Sequence, residues 1–154
     1  MIANLKRILI AEDNANDLEL TMTALEENRV ANEVVAVRDG AEAIDYLESR
    51  GQFAGREDGH PAVVLLDLKM PKVDGLEVLR YIKTNPRFHA IPVVMLTSSR
   101  EEQDLIRSYE LGVNGYVVKP VEFGAFMDAV RQLGSFWAVI NEVPRDPSRG
   151  GSTA

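Results

Sequence analysis

VVLLDLKMP, residues 63–71, is an unbroken apolar run that ends abruptly at a carboxylate. Four consecutive aliphatic residues between Pro61 and Pro71 predict a strand buried on both faces, as in a parallel sheet covered by helices. Asp67 then lies at the carboxyl end of this strand. Ligands of open α/β sheets bind outside the carboxyl ends of the strands, so Asp67 is placed for chemistry. From this stretch alone, an Asp that only caps the next turn is the alternative.

Strand-like runs alternate with helical patterns along the whole chain. Apolar runs like the central one occur at residues 6–11, 33–37, 91–96 and 115–118, and a helical stripe follows each of the five runs. Parallel strands need crossover connections, and these connections are right-handed. The pattern therefore predicts an α/β fold, a doubly wound five-stranded parallel sheet with helices on both faces. Residues 51–61 contain three glycines and no periodicity, which predicts a surface loop before the central strand.

Length and composition exclude several classes of protein. The 154 residues fit one domain, which we place at residues 1–143, with residues 144–154 as a disordered polar tail. A net charge of −7 argues against a nucleic-acid-binding surface. The absence of cysteine excludes disulfides, thiolate metal sites and Cys nucleophiles. We expect a cytoplasmic protein without membrane contact, because the sequence shows neither a signal peptide nor a membrane-spanning apolar run.

Charged and hydroxyl side chains recur where the predicted strands end. Glu12 and Asp13 follow the first strand, Asp67 ends the central one, Thr97 ends the fourth and Lys119 follows the fifth. The carboxyl ends of parallel strands share one edge of the sheet, so all five side chains should meet there. Each of them alone could be a cap or an exposed charge, but their common position predicts a functional site.

The residue types at this edge indicate metal and phosphoryl chemistry. Three carboxylates gathered together repel one another, and a hard divalent cation with oxygen ligands relieves that repulsion. Mg²⁺ is the expected ion, since it commonly bridges carboxylates to phosphate. A lysine and a hydroxyl opposite the acids supply a cation and a donor for phosphoryl oxygens. The edge is therefore predicted to form an aspartyl phosphate.

At this point the sequence resembles the receiver domain of two-component response regulators, over roughly residues 5–133. The similarity is specific because five separated elements match in order, each at a predicted strand end. The matching elements are Glu12-Asp13, Asp67 with Met70-Pro71, Asp74-Gly75, Thr97-Ser98 and Lys119-Pro120. The resemblance implies a flavodoxin-like fold with an extended C-terminal helix.

The resemblance also implies a role for each residue at the edge. Asp67 would accept a phosphoryl group from a histidine kinase, and the Lys119–Pro120 peptide bond would be cis. The chain would be a phosphoacceptor, not an enzyme acting on outside substrates, with at most slow self-dephosphorylation. The implied roles are Mg²⁺ binding for Asp13, Asp67 and the backbone carbonyl of Lys69, assistance through water for Glu12, phosphoryl-oxygen binding for Thr97 and Lys119, and the switch for Thr97 and Tyr116.

The C-terminal region extends the resemblance to single-domain response regulators that serve bacterial phytochrome histidine kinases. This implies a sensor kinase partner, no DNA-binding output domain, and output through phosphorylation-controlled protein contacts. The last predicted helix, from about Glu122 to Asn141, is longer than the sheet it covers. Its apolar end would be covered in a homodimer, unless Gly134-Ser135 breaks the helix and lets it fold back. The predicted dimer residues are Phe136, Trp137, Ile140 and Val143.

Two other functions remain as alternatives. One is a constitutive binding module of the same fold that is never phosphorylated. The other is a flavodoxin-like FMN protein, but Glu12-Asp13 would repel the FMN phosphate. No Walker loop or GxGxxG motif occurs, which argues against nucleotide hydrolysis and dinucleotide binding. His60 and His89 are expected to be surface residues in loops and not phosphodonors.

Overall fold

The protein is an α/β fold built on a five-stranded parallel sheet. In this computed structural model the described residues are 6–27, 32–57, 59–97, 107, 110–113, 115–119, 122, 124, 125 and 128. The elements described there are, in chain order, β1 Ile8–Ala11, α1 Ala15–Glu27, β2 Val34–Val37, α2 Gly40–Glu48, a short 3₁₀ helix Gly51–Phe53, β3 Val63–Asp67, α3 Gly75–Thr84, β4 Val93–Thr97 and β5 Gly115–Val118.

The strand order confirms the predicted doubly wound sheet. The strands lie in the order β2-β1-β3-β4-β5, and every neighbouring pair is parallel. The chain runs outward from β1 to one edge and, after crossing back, from β3 to the other. The order in which strands are added therefore reverses between β1 and β3, although all strands remain parallel. Ligands of such folds bind at this point.

The core lies in two layers, one on each face of the sheet. Successive side chains of a strand point to opposite faces, so β1 contributes Leu9 to one layer and Ile8 and Ile10 to the other. Helices α2 and α3 cover the Leu9 layer, and α1 covers the other layer with Leu25. All residues of β1, β3 and β4 are buried, as predicted from their continuous apolar runs.

The segment between β3 and α3 passes close to its neighbours. The backbone N–H of Gly75 donates to the carbonyl of Leu68, and a Cβ added at Gly75 would lie 2.1 Å from the carbonyl oxygen of Asp67. Because glycine has no Cβ, α3 can begin in direct contact with the end of β3. Asp74 caps the helix, and its side chain and that of Glu77 form a capping box. The Asp74-Gly75 pair, one of the elements that carry the family resemblance, therefore forms the start of α3.

The loop before β3 is more ordered than its composition predicts. Residues 51–61 begin with a single 3₁₀ turn, and Arg56 ties the rest of the loop to α2. Its guanidinium carbon lies 3.8 Å from the centre of the Tyr46 ring, and its Nε donates to the Tyr46 carbonyl at 3.1 Å. These cation–π and charge-assisted contacts join residues ten positions apart in the sequence. Hydrophobic periodicity describes only local structure, so it does not predict them.

Several expectations fall on residues outside the described part. Arg107 and Glu110 are helical, and Gly112 follows them with a φ of +85°, as expected for a glycine that ends a helix. The rest of the predicted fourth helix, most of the final helix, the cis Lys119–Pro120 bond and residues 144–154 are not described. Among the described residues, no helix is long and apolar enough to cross a bilayer.

Candidate functional site

Strand register brings the predicted site residues to one edge of the sheet. Ala11 of β1 pairs with Leu66 of β3, so Glu12 is level with Asp67. Thr97 of β4 pairs with Val118 of β5, and the backbone N–H of Lys119 donates to the Thr97 carbonyl at 2.9 Å. Parallel pairing of four strand ends thus gathers residues that are more than one hundred positions apart in the sequence.

Three acids form a compact cluster at the reversal point of the sheet. Carboxylate oxygens of Glu12, Asp13 and Asp67 lie within 4.8 Å of one another. Glu12 is completely buried and Asp67 is 4% exposed, whereas Asp13 faces solvent. Oε2 of Glu12 accepts the backbone N–H of Asn14 at 3.2 Å. Carboxylates at this separation fit a hard divalent cation, because Mg²⁺ and Ca²⁺ take oxygen ligands.

Lys119 supplies the positive charge of the site. Its side chain is 7% exposed, and Nζ lies 3.0 Å from Glu12 Oε1 and 3.2 Å from Asp67 Oδ1. Nζ also lies 2.9 Å from Oδ2 of Asp17. An ammonium has three N–H donors, and three carboxylates surround this one. Lys119 is therefore held directly beside Oδ1 of Asp67.

The environment changes the acidity of the two central groups. Burial, a hydrogen bond with Glu12 and the charge of Glu12 raise the pKa of Asp67 to about 7, and Lys119 only partly opposes the rise. For Lys119, burial lowers the pKa, but hydrogen bonds to Asp17 and Glu12 outweigh it and hold the pKa above its ordinary value. Lys119 is thus cationic at neutral pH, while burial and the nearby Glu12 make ionisation of Asp67 less favourable.

An open cleft gives access to these groups. Its volume is about 230 Å³, enough for a phosphoryl group and its waters but small for a dinucleotide. The lining residues are Asp13, Asn14, Asp17, Asp67, Leu68, Lys69, Thr97 and Lys119. Five of the predicted site residues therefore line one cleft, and the buried Glu12 lies next to three of them, Asp13, Asp67 and Lys119.

The remaining predicted residues are Tyr116, the dimer residues and the two histidines. Tyr116 is half-buried in β5, packs against the core layer under α2 and α3, and does not line the cleft. The predicted dimer residues Phe136, Trp137, Ile140 and Val143 are outside the described part of the chain. His60 and His89 are exposed in loops, as expected. The roles assigned to individual site residues remain predictions.

Asp17 and Asn14 are site residues that sequence reasoning did not assign. Asn14 caps α1, since its Oδ1 accepts the backbone N–H of Asp17 at 2.9 Å. Asp17 lies in the first turn of α1, three residues after the cap Asn14. An acid in a first helical turn is common at any helix N-terminus, so no local pattern assigns it to the cleft.

A loop on the other side of Asp67 is fixed by an ion pair. Nζ of Lys72 lies 3.4 Å from Oδ2 of Asp39, the nearly buried residue that caps α2. A Cβ added at Gly40 would lie 1.9 Å from the carbonyl oxygen of Val73, so the loop runs directly against the start of α2. These contacts hold the loop that carries Lys69 close to the helix beside it.

The chain is similar in sequence and in structure to proteins of one family. Residues 8–131 match the response regulator receiver domain. The response regulator Rcp1 of Synechocystis is 40% identical over 132 residues, which are 86% of this chain and 88% of Rcp1.

Solved structures give the same assignment. The bacteriophytochrome response regulator AtBRR is 64% identical, with a TM-score of 0.82, and the match covers 90% of this chain and 99% of AtBRR. The phosphorylated cyanobacterial phytochrome response regulator RcpA is 42% identical, with a TM-score of 0.72 and coverage of 86% and 94%. The Mn²⁺-bound form of Rcp1 has a TM-score of 0.71 at 38% identity, with coverage of 91% and 99%. With an acid cluster, a buried lysine and a strand-end aspartate on this fold, the chain belongs to the response regulator receiver domain family.

Proposed function

We propose that the protein is a single-domain response regulator in which Asp67 accepts a phosphoryl group from a sensor histidine kinase. The observation that carries the proposal is the contact of Lys119 Nζ with Oδ1 of Asp67 at 3.2 Å, at the mouth of an acid-lined cleft. A buried carboxylate next to a fixed ammonium is suited to nucleophilic attack on phosphorus, because the ammonium balances charge on the phosphoryl oxygens.

The transfer needs few protein groups. A carboxylate oxygen of Asp67 forms the new bond to phosphorus as the bond to the kinase imidazole nitrogen breaks. Lys119 and the Thr97 hydroxyl would bind phosphoryl oxygens, while Asp13, Asp67 and the Lys69 carbonyl would hold Mg²⁺, with Glu12 assisting through water. Bound Mg²⁺ would neutralise the acids and the transferring oxygens.

The output of this reaction would be a change in protein contacts. A phosphoryl group on Asp67 carries about −1.5 to −2 charges, against −1 for the carboxylate that it replaces, and its oxygens can draw the Thr97 hydroxyl toward them. Tyr116 lies two residues from the end of β5, next to the strand that ends at Thr97. We propose that Thr97 and Tyr116 form the switch, and that β4 and β5 transmit the resulting conformational change to the surface that binds a protein partner. We further propose that the protein binds no DNA. Slow self-dephosphorylation would end the signal.

Two of the similar structures indicate which kind of kinase is the partner. AtBRR and RcpA are phytochrome response regulators, and the first match extends over nearly all of AtBRR. We propose a bacterial phytochrome histidine kinase as the partner, and a cytoplasmic location in which the two meet.

Phosphoryl uptake is expected to depend on a divalent cation. The protein is incubated with acetyl phosphate and Mg²⁺, and its intact mass is measured. A gain of one phosphoryl group is expected with Mg²⁺, and a loss of at least about 90% of that gain in excess chelator, since the clustered carboxylates otherwise repel the anionic donor. Unchanged mass with Mg²⁺ would favour the constitutive binding module, and equal labelling in chelator would remove the metal from the mechanism.

Homodimerisation through the C-terminal helix is a separate expectation. Phe136, Trp137, Ile140 and Val143 would form an apolar patch beyond the sheet that a second copy covers. Sedimentation of the full chain should show a dimer at micromolar concentration, and a chain truncated after Leu133 should sediment as a monomer. A full chain that is monomeric with and without acetyl phosphate would instead support a helix that folds back at Gly134-Ser135.

A further inference from the structure

Asp17 is the third carboxylate around the Lys119 ammonium, and it differs from the other two. Glu12 and Asp67 follow or end strands and are almost fully buried. Asp17 belongs to the first turn of α1, its side chain is 29% exposed, and it lines the open cleft. Its 2.9 Å contact with Nζ is nevertheless the shortest of the three. It therefore holds the ammonium from the more solvent-exposed part of the site.

The three contacts occupy the three donors of Lys119. If Asp67 carries a phosphoryl group, the donor that now meets Asp67 Oδ1 can pass to a phosphoryl oxygen, while the other two contacts keep Nζ in place. Lys119 has a flexible four-carbon stem, so its position depends on such anchors. Glu12 alone would pull Nζ down toward the buried cluster, and Asp17 pulls it toward the cleft.

We propose that Asp17 is a positioning residue that holds the Lys119 ammonium at the cleft. Its carboxylate also compensates part of the positive charge that this ammonium exerts on the acid cluster. The proposal rests on the proposed role of Lys119 in binding phosphoryl oxygens. Three carboxylates, those of Glu12, Asp17 and Asp67, contact this one ammonium, and Asp13 belongs to the adjoining acid cluster. Without the charge of Asp17, more of the positive charge of Lys119 acts on the cluster and on the cleft.

Loss of this charge has opposite effects on cations and anions. A divalent cation at the acid cluster would meet a less compensated ammonium and bind more weakly. An anionic phosphodonor in the cleft would meet less negative charge and bind more tightly. A structural disturbance at the start of α1 would instead weaken the binding of both the cation and the phosphodonor, because the same backbone positions Asn14 and the acids at the end of β1. Opposite shifts therefore separate an electrostatic role from a structural one.

The test uses Asp17→Asn in the full chain. Mn²⁺ binding is titrated by electron paramagnetic resonance, which detects the free ion without any reaction. The dissociation constant is expected to rise about five-fold, since one unit charge changes at short range in a partly exposed site. At saturating Mg²⁺, KM for acetyl phosphate should fall about three-fold for the same reason, with kcat within about two-fold because the amide oxygen still accepts from Nζ.

Two further variants complete the design. Asp17→Ala removes the acceptor as well as the charge, so it should weaken Mn²⁺ binding as Asp17→Asn does and in addition lower kcat about ten-fold. Glu19→Gln is the matched control, since it removes one charge from an exposed position of the same helix, two residues away and on another face. Its metal affinity and KM are expected to stay within about two-fold of those of the original chain.

Two results would overturn the role of Asp17. One is an unchanged Mn²⁺ dissociation constant in Asp17→Asn, and the other is a shift of the Mn²⁺ dissociation constant and KM in the same direction. A chain that binds Mn²⁺ with the expected dependence on Asp17 but takes up no phosphoryl group would contradict the proposed function and leave the electrostatic role of Asp17 standing. The two inferences therefore fail separately.

Discussion

Replacement of Asp67 by Asn is expected to abolish phosphoryl uptake from acetyl phosphate. The amide has nearly the same shape, so its oxygen can still accept from Lys119 Nζ, but it is not a nucleophile that forms an acyl phosphate. Uptake should fall by at least about 100-fold, the scale of losing a covalent nucleophile. The measurement is intact mass after incubation with acetyl phosphate and Mg²⁺. This is the largest effect of any single substitution that the site predicts.

The matched control is Asp45→Asn. Asp45 lies in α2, is partly exposed and pairs with Arg50 at 2.9 Å, away from the cleft. Its substitution makes the same chemical change and should leave the mass gain intact. A mass gain that persists undiminished in Asp67→Asn would show that another residue carries the phosphoryl group.

The stability of the metal-free protein should fall as pH rises through the titration of Asp67. The folded-state pKa is about 7, against an ordinary value of 3.8. Between these values the folded state binds a proton that the unfolded chain does not, so unfolding releases it and is favoured at higher pH. The stabilising contribution is fully present below the unfolded pKa and is lost by the time pH passes about 7.

The size of this effect can be isolated with Asp67→Asn. The variant has no group to titrate at this position, so its stability relative to the original chain should rise by about 2 kcal/mol between about pH 5 and pH 8. Urea unfolding in excess chelator at the two pH values gives the difference. Mg²⁺ should stabilise the original chain at the higher pH, because a ligand that binds only the folded state stabilises it. A stability difference that is the same at both pH values would contradict the raised pKa.

Much of the site followed from the sequence because its residues sit at strand ends. A continuous apolar run fixes a buried parallel strand, and the carboxyl ends of such strands share one edge. Glu12, Asp67, Thr97 and Lys119 could therefore be placed together without knowing the strand order. The Asp74-Gly75 helix start was equally readable, because it depends on local capping.

Other contacts depend on distances that no local pattern records. Asp17 meets Lys119 only because α1 packs at one angle against the sheet, which the sequence does not specify. Arg56 stacks on Tyr46 across a loop whose composition is typical of irregular structure. The raised pKa of Asp67 comes from burial together with Glu12, and both are properties of the packed edge. These features required the three-dimensional structure.

The most direct test of the central claim is to locate the phosphoryl group on the chain. After incubation with acetyl phosphate and Mg²⁺, borohydride reduces an aspartyl phosphate to homoserine, and fragment masses identify the modified position. The account predicts homoserine at Asp67 and at no other acid of the cleft. Homoserine at Asp13 or Asp17, or a phosphoryl group on His60 or His89 instead, would contradict it.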